Sequence, residues 1–458
     1  MQSEGSTRPF RASLGVISIA LLALVAGGAP SAAETLNDAL ATAYENNPTL
    51  RAQRAQLRAT DEGLPEARAG WRPTVSAEGQ AGVASVDNGA GAQDLTPLAY
   101  GIYATQPLYR GGRTSASVSR ANNLIQAERA RLASVEQRIM LEAATVYMDV
   151  ARDMTVLDLK ARNEQVLERE LNATEDRFRV GELTLTDVAQ ARARLAGAVA
   201  SRIQAMGNLQ ASRAEYLRVI GRASESPLPP PPLEGLPLSL DETLQAAEKD
   251  NPDVVAARFL EQAAQDEIAL ARSEMLPNLS LNGQVEHRED FGSPGSESDS
   301  AQVMAKLSIP LYQGGGPSAR VRRAKQVAGQ RRIQMDETQR AVRAQGTSSW
   351  EILAVADARV TQFESQVQAN KTALEGTREQ ARVGSRILLD VLNAEQELLD
   401  AQVSLEVAKR DAYVAGLQVL AAIGRLTARD LSLDVEYYDE SAYYNNVKGK
   451  LGGTGIED

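Results

Sequence analysis

The pattern of apolar positions divides most of the chain into long helical stretches. Residues 113–179 contain no proline, and their apolar positions recur at the three- and four-residue spacing of one helix face. At about 1.5 Å per residue, a helix of this length is a rod of about 100 Å. Residues 36–69 are also predicted to be helical, with a break at Asn47-Pro48. The returning helix over residues 187–220 is shorter than the rod, and we expect the first helix to stack on its end.

Alternating residues predict two β-hairpins, at about residues 73–109 and 277–312. In the first hairpin the apolar Val75 and Ala77 alternate with the polar Ser76 and Glu78. This alternation predicts a sheet with one apolar face and one polar face. A sheet that covers a soluble core would show the same pattern, but a rod of about 100 Å does not fold over a small sheet.

The chain is predicted to contain two copies of one module. Residues 179–188 and 382–391 each place a glycine after a helical stretch and an Asp where the next helix begins, so each is interpreted as the tip of a helical hairpin. The tips lie 203 residues apart, and other motifs recur at an offset of 203 or 204. We assign residues 34–222 and 240–425 to the two modules, residues 223–239 to a proline-rich linker, and residues 426–458 to a tail that we expect to be partly disordered.

The N-terminus has the features of a secretory signal peptide. Arg8 and Arg11 precede an apolar stretch that ends in small residues before Glu34, so residues 1–33 are expected to be removed. Removal changes the formal net charge from −11 to −12, and an acidic exported protein is not suited to binding nucleic acid.

The mature sequence contains no apolar stretch of the length that a transmembrane helix needs. We therefore expect any integral membrane contact to be made by β-strands. Four strands cannot close a barrel alone, so they would have to close with other copies of the chain; two copies would give about eight strands and three about twelve.

The sequence offers no catalytic, cofactor-binding or metal site. It contains no cysteine and one histidine, His287, which lies next to a predicted surface loop and is expected to be solvated. The glycines at Gly111-Gly112 and Gly314-Gly315 are not followed by the Lys and Ser or Thr of a phosphate-binding loop. They are interpreted as flexible corners between strand and helix. We predict that the protein is not an enzyme.

Taken together, these features resemble the TolC family of outer-membrane efflux proteins over about residues 36–426. The resemblance rests on the duplicated module, both Asn-Pro helix starts, both Pro-Leu-Tyr-x-Gly-Gly junctions and both Val-Gly-x₅-Asp-Val tips. It implies an α+β membrane protein. Specifically, it implies a homotrimer with a twelve-stranded outer-membrane β-barrel, four strands coming from each chain, which a long α-helical coiled-coil tunnel continues across the periplasm.

The resemblance also implies a function without a cofactor. The protein would be an exit duct that docks onto an inner-membrane ABC or proton-driven pump and a periplasmic membrane-fusion adaptor. It would export proteins by type I secretion, small toxic compounds, or both. The absence of a cysteine that could carry a lipid favours the type I secretion branch. A periplasmic or secreted coiled-coil adaptor without a channel stays open as the alternative.

Site residues follow from the resemblance by position. Arg386 would pair with Thr186 and Asp187 to hold the tips shut, and Asp390 from three subunits would form a constriction ring. The tip turns would dock the partner proteins through Val180, Gly181, Val383 and Gly384.

This sequence departs from the family's gate at two positions. Ala381 stands where the family has a tip tyrosine, and Asn393 replaces a second ring carboxylate. Fewer latches and a less negative entrance are therefore expected. A purely structural interpretation also stays open, in which Asp187 and Asp390 are N-terminal helix caps and Arg386 is a solvated loop charge.

Overall fold

The computed structural model describes residues 34–87, 89, 91–224 and 227–456. The predicted signal peptide, residues 1–33, lies outside these described residues. The first half contains helices α1 Leu36–Asn46, α2 Pro48–Asp61, α3 Gly63–Ala69, α4 Arg113–Arg179 and α5 Leu185–Ile220, and strands β1 Thr74–Ala81, β2 Ala84–Asp87, β3 Ala92–Leu95 and β4 Leu98–Arg110. The second half contains α6 Leu240–Asp250, α7 Pro252–Ser273, β5 Asn278–Glu289, β6 Glu297–Ser308, α8 Gly316–Arg382, α9 Leu388–Ala422 and α10 Ala442–Val447.

Each Asn-Pro pair begins a helix and ties it to the end of another. The Asn47 side-chain oxygen accepts from the backbone N–H groups of Thr49 and Leu50, and Pro48 occupies the first helical turn, where its missing N–H is not needed. The Asn47 amide also donates to the backbone carbonyl of Val219 at 2.9 Å. In the second half, the amide of Asn251 donates to the Ala422 carbonyl in the same way, at 3.0 Å. In each half, one buried asparagine side chain thus ties the helix ends together where end-to-end stacking was expected.

The first helix has a second break that the sequence interpretation missed. A helix was expected to continue from the Asn-Pro break to residue 69, but α2 ends at Asp61 and α3 begins at Gly63. Pro65 is the cause, because proline has no N–H to donate to the carbonyl of Asp61 and its ring clashes with that carbonyl. The corresponding helix of the second half, α7, has no proline there and runs without a break.

Four antiparallel strands form one sheet in the order β1-β4-β5-β6. The register aligns residues of like character across the strands, so the sheet has two different faces. One face carries Val75, Ala77, Ile102, Ala104, Val285, Ala301 and Val303, and the other carries Ser76, Glu78, Tyr103, Thr105, Asn282, Gln284 and Gln302. Strands β2 and β3 form a separate small hairpin beyond the end of β1, in a region that was expected to hold only a turn and the flanking strands.

The helices are arranged in the same order as the strands. Helix α4 packs against α1, α2 and α5 of the first half and also against α7 and α9 of the second half. Helix α8 packs against α6, α7 and α9. Each strand therefore leads into or out of its own column of helix: α2 and α3 lead into β1, β4 into α4, α7 into β5, and β6 into α8.

The main core lies where the ends of α1, α2, α5 and α9 meet the middle of α4. Two fully buried tyrosines, Tyr147 and Tyr216, occupy its centre, and residues 426–433 of the tail cover it. No helix within the described ranges combines the length and the apolar content of a membrane span.

Candidate functional site at the helical tips

The two tip turns have the same backbone geometry. Gly181 and Gly384 have φ angles of 81° and 79°, a left-handed conformation that glycine adopts without steric cost. At the first tip, Gly181 N donates to the Phe178 carbonyl and Glu182 N to the Arg177 carbonyl, which is a Schellman motif. Val180 and Val383, beside the glycines, are largely exposed. Both turns thus present a valine and a bare glycine backbone to whatever the tips contact.

At the first tip, Thr184 begins helix α5 and Asp187 completes the cap. The Thr184 hydroxyl accepts from the Asp187 N–H, and the Asp187 carboxylate accepts from the Thr184 N–H at 2.9 Å. The hydrogen bonds from Thr184 lower the pKa of Asp187 below its usual value. The N-cap is therefore Thr184, and the interpretation of Asp187 as the cap itself was wrong by three positions. Thr186, between them in sequence, is exposed.

At the second tip the same position in the helix is chemically different. Ile387 stands where the first tip has Thr184, so helix α9 begins without a side-chain cap and Asp390 is not held by one. Arg386 Nη1 lies 3.5 Å from Asp390 Oδ2, and its Nε donates to Gln380 Oε1 at 3.2 Å. Asp390 is thus not an N-terminal cap. Arg386, whose side chain is 54% exposed, is a solvated loop charge that also contacts Gln380 and Asp390 of its own hairpin.

The predicted pairing of Arg386 with Thr186 and Asp187 does not occur within one chain. Arg386 contacts its own hairpin, whereas Thr186 and Asp187 belong to the other hairpin. The contact between these groups, and the ring of Asp390 side chains, stay predictions about the assembled protein.

A different link joins the two hairpins near the tips. The Arg194 guanidinium on α5 donates to Asn393 Oδ1 on α9 at 2.6 Å. Below it, Leu167, Ala198 and Leu392 form a small buried cluster from three helices. Asn393, noted in the sequence only as a missing carboxylate, therefore holds the first hairpin to the second. The sequence carries no local signal for this pair, because its members are 199 residues apart.

Farther along the helices, a charged belt crosses all four long helices at one level. We use this name for Asp149, Arg152 and Asp153 of α4, Ser212 of α5, Arg359 of α8, and Arg410 and Asp411 of α9. Its central contact is bidentate: Arg410 Nε and Nη2 lie 2.8 Å and 3.3 Å from the two carboxylate oxygens of Asp149. The belt joins the two hairpins above the tips, and Arg194 with Asn393 joins them again nearer the tips.

The lone histidine lies on the sheet and not at the tips. His287 Nδ1 is 2.7 Å from Asp299 and its Nε2 is 3.0 Å from Glu289, and its side chain is only 14% exposed. The expectation of a solvated ring was therefore wrong, because Tyr100 and Asp299 of the neighbouring strands and Glu289 of its own strand contact it. In the part of the chain that the structure describes, no group of His, Asp and Glu side chains has the geometry of a metal site.

Comparison with known proteins gives a consistent result over most of the chain. The family model described as outer membrane efflux protein matches residues 39–222 and 243–425. The outer membrane efflux protein BepC of Brucella suis is 32% identical over 98% of both chains. The outer membrane protein TolC of Vibrio cholerae is 28% identical over 87% of this chain and 92% of its own. The alkaline protease secretion protein AprF of Pseudomonas aeruginosa is 26% identical over 68% of this chain and 66% of its own.

The same architecture is found among solved structures. The CmeC outer membrane channel of Campylobacter jejuni superimposes with a TM-score of 0.76 over 90% of this chain and 89% of its own, at 16% identity. The outer-membrane channel OprN superimposes with a TM-score of 0.75 over 85% and 89%, at 21% identity. These scores show a shared fold of sheet and long helical hairpins.

Proposed function

The chain belongs to the outer membrane efflux protein family, and we propose that three copies form an outer-membrane channel through which substances leave the cell. The observation that carries this proposal is the continuity of four strands with four columns of helix. Such a unit has one open side at β1 and the α2 column, and another at β6 and α8. A ring of identical units satisfies both sides with one repeated contact.

The exposed faces of the sheet support its place in the membrane. Val75, Val285 and Val303 on the apolar face are 69%, 63% and 73% exposed in the single chain, which no soluble sheet of this size would leave uncovered. Lipid can cover such a face without a cost in free energy, while the polar face is turned to the water inside the barrel. Open strand edges are not viable in lipid, so β1 of one copy must pair with β6 of the next. Three copies give a barrel of about twelve strands, each continued by helix.

The tips are the proposed docking site for an inner-membrane transporter and its periplasmic adaptor. Exposed valines and a glycine backbone at Val180, Gly181, Val383 and Gly384 offer a small apolar surface at the far end of each hairpin. The channel itself carries out no chemistry, and the transporter supplies the energy. Both protein and small-molecule export are compatible with the relatives, since AprF is named for protease secretion and BepC for efflux. These relatives favour a channel over a free coiled-coil adaptor.

The gate is proposed to use two layers of contacts. Within each chain, Arg194 and Asn393 hold the hairpins together at 2.6 Å. Between chains, Arg386 reaches Thr186 and Asp187 of the neighbouring hairpin, and the Asp390 side chains form a ring. Each exposed contact is worth about 1 kcal/mol or less, so closure depends on the contacts of all three chains acting together.

Single-channel conductance in planar bilayers tests the channel and the gate separately. We expect a small conductance from the wild type and a clearly larger one from Arg386→Ser, because the tips lose their latch. Arg382→Ser is the matched control: Arg382 lies on the same tip, and its ion pair within the described part of the chain is with Glu379 of its own helix, at 3.8 Å. If Arg386→Ser has the same conductance as the wild type and the control, the latch is refuted and the channel is retained. No conductance from correctly folded trimers would refute the channel.

A further inference from the structure

The C-terminal tail folds back along the first half of the chain as a strap. We use the name C-terminal strap for residues 437–450, which include α10. Six hydrogen bonds fasten it to the first half. The Tyr438 N–H donates to the Tyr44 hydroxyl at 3.0 Å, and the Tyr444 hydroxyl donates to Asn122 Oδ1 at 3.4 Å. The other four run to α3, the segments before and after it, and α4: Arg68 donates to the Lys448 carbonyl, Arg72 to the Lys450 carbonyl, Arg129 to the Glu440 carbonyl, and Tyr443 to the Glu62 carboxylate. The distances are 2.8, 2.8, 3.3 and 2.7 Å. Three of these bonds are made to backbone carbonyls, so they hold the path of the strap rather than any one of its side chains.

A carboxylic acid lies buried beside the strap. Asp61, the last residue of α2, has no exposed surface, and among the residues that the structure describes neither of its carboxylate oxygens has a hydrogen-bond partner. A buried carboxylate is costly unless it is paired or protonated. Its burial is complete within a single chain and does not depend on other copies.

Four charged or titratable groups surround Asp61. Arg129 on α4 is the only cation among them, while Glu62 of the α2 end and Glu440 and Tyr443 of the strap add negative charge or none. Arg129 is turned towards the strap: its Nη2 donates to the Glu440 carbonyl and its guanidinium lies 5.3 Å from the ring centre of Tyr444. Its buried Nε has no hydrogen-bond partner among the described residues. The cation that could neutralise Asp61 therefore holds the strap instead.

The second half of the chain provides an internal comparison. Gln265 occupies the position of Asp61 at the repeat offset of 204. It is exposed, and its amide donates to Glu261 on the same helix at 2.9 Å. Within the described ranges, helix α7 has neither a break like the one before α3 nor a strap beside it. A buried acid at this position thus accompanies the strap.

We propose that the C-terminal strap is a pH-sensitive latch, closed when Asp61 is protonated and loosened when Asp61 ionises and draws Arg129 away from the strap. Arg129 can exchange its contacts with the strap for a contact with Asp61, because the two side chains are neighbours and the Nε of Arg129 and the oxygens of Asp61 lack partners among the described residues. When Arg129 turns to Asp61, the strap loses the hydrogen bond at Glu440 and the stacking at Tyr444 together. Arg68 and Arg72 still hold the far end, and Tyr438 and Tyr443 keep their hydrogen bonds to Tyr44 and Glu62. The loosening is therefore a local gain in mobility over residues 437–447 and not a release of the strap.

The direction of the pH effect follows from burial. Desolvation raises the pKa of Asp61 from 3.8 to about 6 in the closed form. A raised acid pKa stabilises the closed form at low pH, and this stabilisation is lost as the pH rises from 3.8 to about 6. A difference of about two pKa units corresponds to a change of about 100-fold in the ratio of closed to loosened strap.

A spin label on the strap measures this ratio directly. The natural chain has no cysteine, so Asn446→Cys gives a unique attachment site on an exposed position of α10. In the full-length protein, the ratio of immobilised to mobile label should fall by about 100-fold between pH 4 and pH 7. With Asp61→Asn in addition, the label should stay immobilised at every pH. With Gln265→Asp instead, the wild-type pH dependence should be unchanged, because that carboxylate is exposed.

Two outcomes would overturn the latch. One is a wild-type label whose mobility does not change with pH; the other is a pH response that persists in Asp61→Asn. Should Asp61→Asn fail to fold, Glu440→Gln provides a second test. It removes a negative charge near Asp61 and leaves the backbone carbonyl in place, so the midpoint of the mobility change should move to lower pH. An unchanged midpoint in Glu440→Gln would also count against the latch.

Discussion

The charged belt predicts a large difference between two arginine substitutions that look alike in sequence. Arg410→Gln removes the bidentate contact with Asp149, which joins the second hairpin to the first, and the two side chains are only 21% and 24% exposed. Arg359→Gln removes an arginine of the same belt that is 49% exposed and lies 3.6 Å from Asp411. The two changes have the same chemistry and differ in burial and geometry.

The expected magnitudes follow from that difference. Removing one partner of a fully buried ion pair costs about 3–5 kcal/mol, because the other charge is left without compensation. Arg152 stays 2.9 Å from Asp149 and compensates part of the loss. We therefore expect Arg410→Gln to lower the free energy of unfolding by about 2 kcal/mol per chain. Arg359→Gln should lower it by less than about 1 kcal/mol, as for an exposed pair.

Urea unfolding in detergent, followed by the far-ultraviolet circular dichroism of the helices, measures both values. A double-mutant cycle with Asp149→Asn isolates the contact, and its coupling energy should exceed about 1 kcal/mol. Effects of Arg410→Gln and Arg359→Gln that are equal within error, or an additive cycle, would show that the belt does not hold the hairpins together.

Three further predictions concern the corners, the helix starts and the tip. Gly111→Ala should destabilise the protein by several kcal/mol, because the new Cβ would lie 2.6 Å from the Leu276 side chain. Gly314 has a similar φ of 63° and open space around it, so Gly314→Ala should cost only about 1–2 kcal/mol. Equal shifts of the melting temperature in the two variants would contradict this prediction. Asn47→Ala loses both a helix cap and a buried interhelical hydrogen bond, so the free energy of unfolding in urea should fall by about 2 kcal/mol. A much smaller fall would show that Asn47 caps its own helix without stabilising the contact with α5. Thr184→Ala should destabilise the first tip by about 1 kcal/mol above pH 3.8. The loss should be smaller below that pH, because Asp187, whose pKa is lowered, then becomes protonated in the wild type. The free energy of opening at the tip, measured by hydrogen exchange, should therefore depend on pH through Asp187 in the wild type and not in the variant.

The elements predicted best are those with local signals. The bounds of α4 follow from a proline-free stretch, and the tips follow from a glycine that can adopt positive φ. The two main hairpins of the sheet follow from strict alternation. The break at Pro65 was equally local and was overlooked. So was the capping box, in which Thr184 is the N-cap and Asp187, three residues later, bonds back to it.

The candidate site was predicted only in part. The tip turns occur at the expected glycines, and Asp390 and Arg386 occupy the same tip. Asp187 is hydrogen-bonded to Thr184, whereas Asp390 has no such bond. This difference depends on one residue, because the second tip has Ile387 where the first has Thr184. The sequence contained this difference, but its consequence is visible only once the cap is in place.

By itself, the sequence determined the helices, the turns, the strands and their duplication, because each depends on residues that are close together along the chain. The tertiary structure alone decided which side chains pair across the hairpins. Arg410 meets Asp149 from 261 residues away and Arg194 meets Asn393 from 199, and the return of the tail beside Asp61 buries a carboxylate whose counterpart in the second half is exposed. Partners of this kind are set by how the columns of helix pack against one another, and no local pattern of polar and apolar residues encodes that packing.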